Sequence, residues 1–222
     1  MSAEGVQDAI VKQLRNDADI HAEFNVALTG TLTFTNASDT VSGSGTAFTS
    51  EVASRDYIRV EGSPEWYRVL SIESDTSLTM GSVFQEATVS DAGYKSKVSK
   101  GMGRNFNYID DSRGIYVYQM LENWTRSTLP HTRQDAVYPF LVIALYYDDD
   151  EESAETRKTQ YSKMLRRALE RNLELLGNLP PGETITDTRL QDTRFYFHPQ
   201  IEGAYYLVVP LAVKKREPVG DN

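Results

Sequence analysis

The sequence predicts an α+β fold: a mixed sheet with packed helices, plus an inserted small all-β domain of sandwich or barrel type. Three observations predict it. Residues 3–14 have a helical apolar period, residues 29–98 change to Thr, Ser, Gly and alternating apolar residues, and longer apolar runs with one strong helix follow.

The first element rests on Val6, Ala9, Ile10 and Leu14, spaced for a short amphipathic helix. Ile20, Phe24, Val26 and Leu28 extend into a segment of undecided conformation. From Thr29, short strands are expected at residues 31–35 (TLTFT), 56–60 (DYIRV), 66–72 (WYRVLSI), 77–80 (SLTM) and 92–97 (AGYKSK). Turn signals lie at 36–39, 43–45, 61–64 and 73–75. Close spacing without a helical period predicts a sandwich or barrel of about 70 residues, near the lower limit for burying its own core.

Beyond residue 98, strands are expected at 116–121 (YVYQML), 136–147 (AVYPFLVIALYY), 188–197 (TRLQDTRFYF) and 205–213 (YYLVVPLAV). The run from Phe140 to Leu145 has too few polar interruptions for a half-solvated strand, which places it centrally, covered on both faces. Pro139 fits a strand start and Pro210 an edge or bulge. A helix is expected over 156–176, where Tyr161, Met164, Leu165, Ala168, Leu169, Leu173 and Leu176 form one stripe, stopped by Gly177, Pro180 and Pro181. Domain limits follow: residues 1–28 with 99–222 as the host, and 29–98 as the insert.

The absence of cysteine excludes disulfides, thiolate metal sites and cysteine nucleophiles. His21, His131 and His198 have no partner at metal-ligand spacing. The start, MSAEGVQDAIVKQL, lacks a signal-peptide pattern, and no apolar run reaches the ~18 residues of a membrane span, so use in solution is expected. With 23 basic against 32 acidic residues the net charge is −9, which disfavours tight duplex-DNA binding.

Catalytic patterns are weak. Gly43-x-Gly45 and Gly101-x-Gly103 lack the rest of a phosphate loop and read as a turn and a linker. Asp148, Asp149, Asp150, Glu151 and Glu152 are five successive carboxylates without the spaced oxygens or mid-loop glycine of a calcium loop. They read as a solvated turn into the long helix, favoured by its dipole. Asp110 and Asp111 beside Arg113 are adjacent, and adjacent side chains of an extended segment point apart. Asn123-Trp124-Thr125 is a sequon without a secretion signal. No enzyme and no cofactor or metal is expected; the chain reads as an assembly or binding component.

Two stretches resemble proteins of tailed bacteriophages. Thr40 to Phe48 (TVSGSGTAF), Asp56-Tyr57-Ile58, Arg68-Val69 and Ser74 to Met80 (SDTSLTM) resemble a module of phage tail, neck and fibre proteins, with Arg55 standing where a glycine usually precedes Asp56. The order of AIVKQLRNDADI, PFLVIALYYDDD, KTQYSKMLRRALERNLELL and YYLVVPLAVKKRE is similar to that of tail terminator proteins. That resemblance implies a structural virion protein, assembled in the host cytoplasm, forming a hexameric ring that caps the tail tube and joins it to the head-side neck. Its implied partners are other copies in a homohexamer, the tail tube protein, the neck or stopper protein, the sheath in a contractile tail, and DNA passing without specific binding. It implies no membrane association. A stopper or head-completion ring is the alternative, as is a carbohydrate-binding virion protein in which Tyr57, Trp66 and Tyr67 would stack on sugar.

A ring needs two different faces per subunit. The candidates are a basic helix face, Lys163, Arg166, Arg167 and Arg171, and the acidic turn Asp148, Asp149, Asp150, Glu151 and Glu152. The bland reading is that both are solvated surfaces of one helix and its approach.

Overall fold

A computed structural model describes residues 3–101, 114–120, 126–128, 133–148, 150–171, 184–197 and 203–218. In chain order these are α1 (Ala3–Asn16), α2 (Ala18–Phe24), β1 (Val26–Ala27), β2 (Thr31–Phe34), β3 (Thr40–Ser44), the one-turn α3 (Phe48–Glu51), β4 (Tyr57–Val60), β5 (Tyr67–Ser74), β6 (Ser77–Met80), β7 (Val89–Asp91) and β8 (Gly93–Lys95). There follow β9 (Val98–Lys100), β10 (Gly114–Gln119), β11 (Arg126–Thr128), β12 (Arg133–Tyr147), α4 (Glu151–Arg171), β13 (Thr184–Leu190), β14 (Arg194–Phe197) and β15 (Ala204–Pro218). The fold is α+β. Its two units are Met1–Phe24 with Val98–Asn222, and Asn25–Lys97, so the junctions fall at 24/25 and 97/98 rather than at 28/29 and 98/99.

In the first unit, β13-β15-β12-β10-β9 is the main path of a seven-stranded sheet, with β11 also on β12 and β14 on β15. It is mixed because β9 and β10 run parallel while the other pairs are antiparallel. The spine is β12 against β15, in unbroken register from Arg133↔Pro218 to Tyr147↔Ala204. Strand alternation divides β12 between two cores. Phe140, Val142, Ala144 and Tyr146 join the apolar residues of α1, α2 and α4, whereas Ile143 and Leu145 join Tyr118, Ala204 and Tyr206. Both faces are buried, which is why the run carries so few polar residues.

Helix α1 buries Val6, Ile10, Val11 and Leu14, and with them two polar side chains. Gln7 donates to the Val117 carbonyl at 2.6 Å and Arg15 Nε to the Val98 carbonyl at 2.9 Å, so each has a backbone acceptor inside the protein. Asp17 accepts from the amides of Asp19 and Ile20 and starts α2, whose Ile20 and Phe24 are buried. That settles the undecided segment: Ile20 and Phe24 belong to the first unit, and Val26 and Leu28 to the second.

Helix α4 starts at Glu151, five residues before the expected 156, because Asp150 caps it by accepting the Ser153 amide at 3.0 Å. The expected residues 172–176 lie outside those described. Its buried stripe is Ala154, Tyr161, Met164, Leu165, Ala168 and Leu169. Tyr161 packs edge-on to Tyr146 at 5.1 Å and donates to Glu23 at 2.6 Å.

Two strand expectations are corrected. Residues 188–197 form parts of two strands, β13 and β14, which follow each other along β15. The Pro210 carbonyl accepts from Gln191 at 3.0 Å, so the proline's missing N–H faces the same side, and the ladder breaks there between Leu190 and Arg194. Pro139 is interior to β12 rather than at its start. Its carbonyl accepts from Met120 just past the end of β10, so its missing N–H faces the gap between β10 and β11.

The second unit has eight strands in the order β1-β8-β4-β5-β6-β3-β2-β7. Since β7 runs through Ala92 into β8, pairing β2 before that residue and β4 after it, the ladder closes on itself as a small barrel. Leu32, Phe34, Val41, Phe48, Ile58, Val69, Leu78 and Phe84 fill it. Strands β1, β3 and β7 fell outside the sequence expectation; residues 43–45, read as a turn, include the end of β3.

The residues quoted for the first resemblance hold turns and core of this barrel. Val41, Phe48, Ile58 and Leu78 are core; Gly45 turns at φ 67°, and Thr46 donates to the Asp75 carbonyl at 2.6 Å. A Cβ on Gly43 would lie 2.0 Å from the Thr46 hydroxyl. Asp75 accepts from the Thr49 amide at 3.1 Å, and Asp56 from the Ala53 amide at 2.9 Å. Arg55 adopts φ 81°, the left-handed region that a glycine would occupy without strain.

Candidate subunit interface

The candidate interface is the outward side of α4 and its approach. Glu152, Glu155, Thr156, Thr159, Gln160, Lys163, Arg167 and Glu170 are all exposed and recur at helical spacing. Along this stripe the charge passes from acidic at Glu152 and Glu155, through neutral, to basic at Lys163 and Arg167, with the carboxylate of Glu170 beyond them. Glu152 and Arg167 are about 20 Å apart along the axis. The stripe thus carries an acidic patch at Glu152 and Glu155 and a basic patch at Lys163 and Arg167, with Glu170 following the basic pair.

The structure distributes the nine expected interface residues unevenly. Lys163 and Arg167 are exposed one turn apart, as the basic face requires. Arg166 is half-buried and turns toward β13 and β14, donating to the Gln191 carbonyl at 3.4 Å. Asp148 is largely buried and ion-paired to Arg157 at 3.0 Å, while Arg157 also donates to the Tyr147 carbonyl. Asp150 is the helix cap, and the hydrogen bonds from the Ser153 backbone and hydroxyl hold its carboxyl below the usual range. Glu152 is exposed in the first turn. Asp149 and the side chains of Glu151 and Arg171 lie outside the described residues. Two of the acidic residues therefore have intramolecular roles, and Glu152 with Glu155 carries the outward acidic end.

The aromatic trio for sugar stacking does not form one platform. Tyr67 is buried beside Phe34 and Phe84, with ring centroids at 6.0 and 5.5 Å. Trp66 is capped by the Arg59 guanidinium at 4.8 Å from its ring, and Tyr57 is half-buried. Gly101 owes its identity to packing: a Cβ there would lie 2.3 Å from the Tyr118 ring. His131, His198, Gly103, Asp110, Asp111, Arg113 and Asn123 lie outside the described residues. Among the described residues, no group of three or more His, Cys, Asp or Glu could hold a metal ion.

No family model matches the chain, and no curated protein matches it. Among the described residues, no helix is long and apolar enough to cross a membrane.

Sequence reasoning missed the aromatic edge of β14. Tyr196 and Phe197 are exposed, Phe197 by 65%, while Phe195 and Phe197 lie 5.4 Å from Tyr205. The signal is the FYF run of residues 195–197, directly after the polar Asp192-Thr193-Arg194, inside the single strand expected over 188–197.

Proposed function

We infer that this protein is a structural virion component of a tailed phage, a tail terminator whose copies form a hexameric ring on the tail tube and join it to the head-side neck. The observation that supports this reading is the combination of two parts in one chain. One is an α+β host with helices packed on one face of a mixed sheet. The other is a barrel between α2 and β9 in which the residues of the phage-module signature hold turns and core. A closed ring requires head-to-tail contacts between unlike faces, and the outward stripe of α4 carries two unlike patches, Glu152 with Glu155 and Lys163 with Arg167. In this role the protein acts through assembly: the ring subunits bind one another, the tube protein and the neck, and DNA passes through without being held by a net negative chain.

Particle images of assembled tails test the reading. A sixfold ring at the head-proximal end of the tube is expected; a position at a fibre tip, or a twelvefold ring on the portal, overturns it. Lys163→Glu with Arg167→Glu should impair ring formation at low salt while the subunit stays folded, because charges at an interface set register and encounter more than bulk affinity. Glu152→Lys on the same chain should restore part of the assembly.

A further inference from the structure

We propose that the outer face of β4 and β5 is a docking surface for a partner protein that presents carboxylates around an apolar side chain. All three arginines and the only tryptophan of residues 25–97 fall on these two strands or on the residues that lead into them. Strand alternation sets them outside the barrel. Ile58 and Val60 of β4 and Tyr67 and Val69 of β5 are buried, so Tyr57, Arg59, Arg68 and Leu70 stand on the other side. Tyr57 is opposite Arg68, and the same register sets Arg59 opposite Trp66. Tyr94 of β8 flanks Arg59 on its other side. Arg59 and Arg68 are therefore diagonal neighbours, about 7–8 Å apart.

Arginine, tryptophan and tyrosine are the residues in which interface hot spots are richest. Here they lie beside Leu70, which is 51% exposed. Arg55 and Arg68 are exposed, and among the described residues neither guanidinium has a hydrogen bond or ion pair. The guanidinium carbon of Arg59 sits 4.8 Å from the centre of the Trp66 ring, and its Nε is buried without a hydrogen-bond partner. A guanidinium held against a ring has lost water on one side and keeps N–H donors for a carboxylate. Arg55 adds a second line of argument. Its φ of 81° is strained for any residue but glycine, and strain of this kind gathers where a side chain is used. Nothing within the chain takes its guanidinium, which directs that use outward.

The occupant follows from what else lies there. Duplex DNA is a dense line of phosphates, and the exposed Glu61 and Glu65 at the β4–β5 turn, with Glu73 near the end of β5, repel it. A sugar needs an open aromatic face, and that of Trp66 already carries Arg59. A protein partner can set single carboxylates against single arginines and cover Leu70 between them, using charge and apolar contact together. This surface belongs to the barrel alone and stands whether or not the chain forms a ring.

NMR shifts of the full chain test it, with a short peptide of Glu and Asp around one Leu as the probe. The controls are the same peptide with Gln and Asn for the acids, a short DNA duplex and an oligogalacturonate. Saturable shifts at Arg55, Arg59, Trp66, Arg68 and Leu70 are expected with the acidic peptide, and ~0.5 M salt should weaken them. Arg68→Glu should keep the parent's circular dichroism and bind the peptide roughly tenfold more weakly. Arg55→Gly relieves the turn, so it should melt no lower than the parent and still bind roughly threefold more weakly, a combination that a merely structural Arg55 does not give. No shift at these residues, equal shifts from the uncharged peptide, or binding unchanged in the two variants overturns the proposal. Tighter binding of the duplex or of the oligogalacturonate at the same residues overturns it in favour of a nucleic acid or a glycan. A sixfold ring on assembled tails is compatible with every one of these outcomes, so the two readings fail separately.

Discussion

Arg55 shows a sequence departure absorbed by the backbone. Its turn keeps φ at 81°, with the Arg55 amide on the Val69 carbonyl at 2.9 Å and the Asp56 amide on the Ala53 carbonyl at 3.1 Å. A non-glycine residue held there costs on the order of 1 kcal/mol. Arg55→Gly should therefore raise stability by up to ~1 kcal/mol in urea unfolding, and Arg55→Ala should not, since alanine meets the same clash. Equal gains from both would show that the side chain, not φ, is the source. Buried tyrosines make a second prediction. Burial pushes the Tyr118 hydroxyl from 10 up to about 12, and Tyr146 and Tyr206 upward too. Below pH 10 the folded and unfolded chains are equally protonated at Tyr118; from there through about 12 the unfolded chain loses protons first, so stability falls as pH rises. Absorbance at 295 nm should show these tyrosines ionising together with loss of ellipticity. Ionisation at pH 10 in a still-folded protein would mean they are exposed.

At the scale of elements, what could be read was what repeats. The stripe of α4 and the apolar run of β12 were legible because several residues carry one period. Helix α4 began earlier than expected because acidic residues read equally as a turn or as a dipole-favoured first turn, and only the Asp150 hydrogen bond decides between them. Strand β1 has two residues, both exposed, and β3 includes Gly43, so neither shows an alternating signal. The division of β13 from β14 depends on Pro210, across the sheet, which no local pattern contains. Leu169→Ala should cost about 2–5 kcal/mol, the range for a buried leucine leaving a cavity. Arg167→Ala, on the same helix but exposed, should change stability by less than about half a kcal/mol. Similar losses for the two in denaturant titrations would mean that the stripe is oriented otherwise.

At the scale of the whole chain, the composition change at Thr29 located the second unit to within a few residues, because a barrel with its own core needs a period and a residue usage of its own. The candidate interface was half legible: charge could be read from sequence, but the capping by Asp150 and the pairing of Asp148 with Arg157 could not, since each depends on where α4 begins. Residues 25–97 expressed alone should unfold cooperatively, and a short Gly/Ser linker in their place should leave the first unit folded. Loss of all structure in the shortened chain would mean a shared core. The pairing of β1 with β8, Val26 against Lys95 and Ala27 against Tyr94, puts the two ends of the barrel side by side. For the rest of the chain a folded barrel is thus a short loop, although it is more than seventy residues long in sequence. Closing a flexible loop of that length instead of one of about three residues would cost about 3 kcal/mol more. Once the barrel has formed, that entropy is already spent, and the N-terminal helices wait for their sheet already tethered beside β9, so the order of synthesis and the order of folding favour the same sequence of events: barrel first, sheet second.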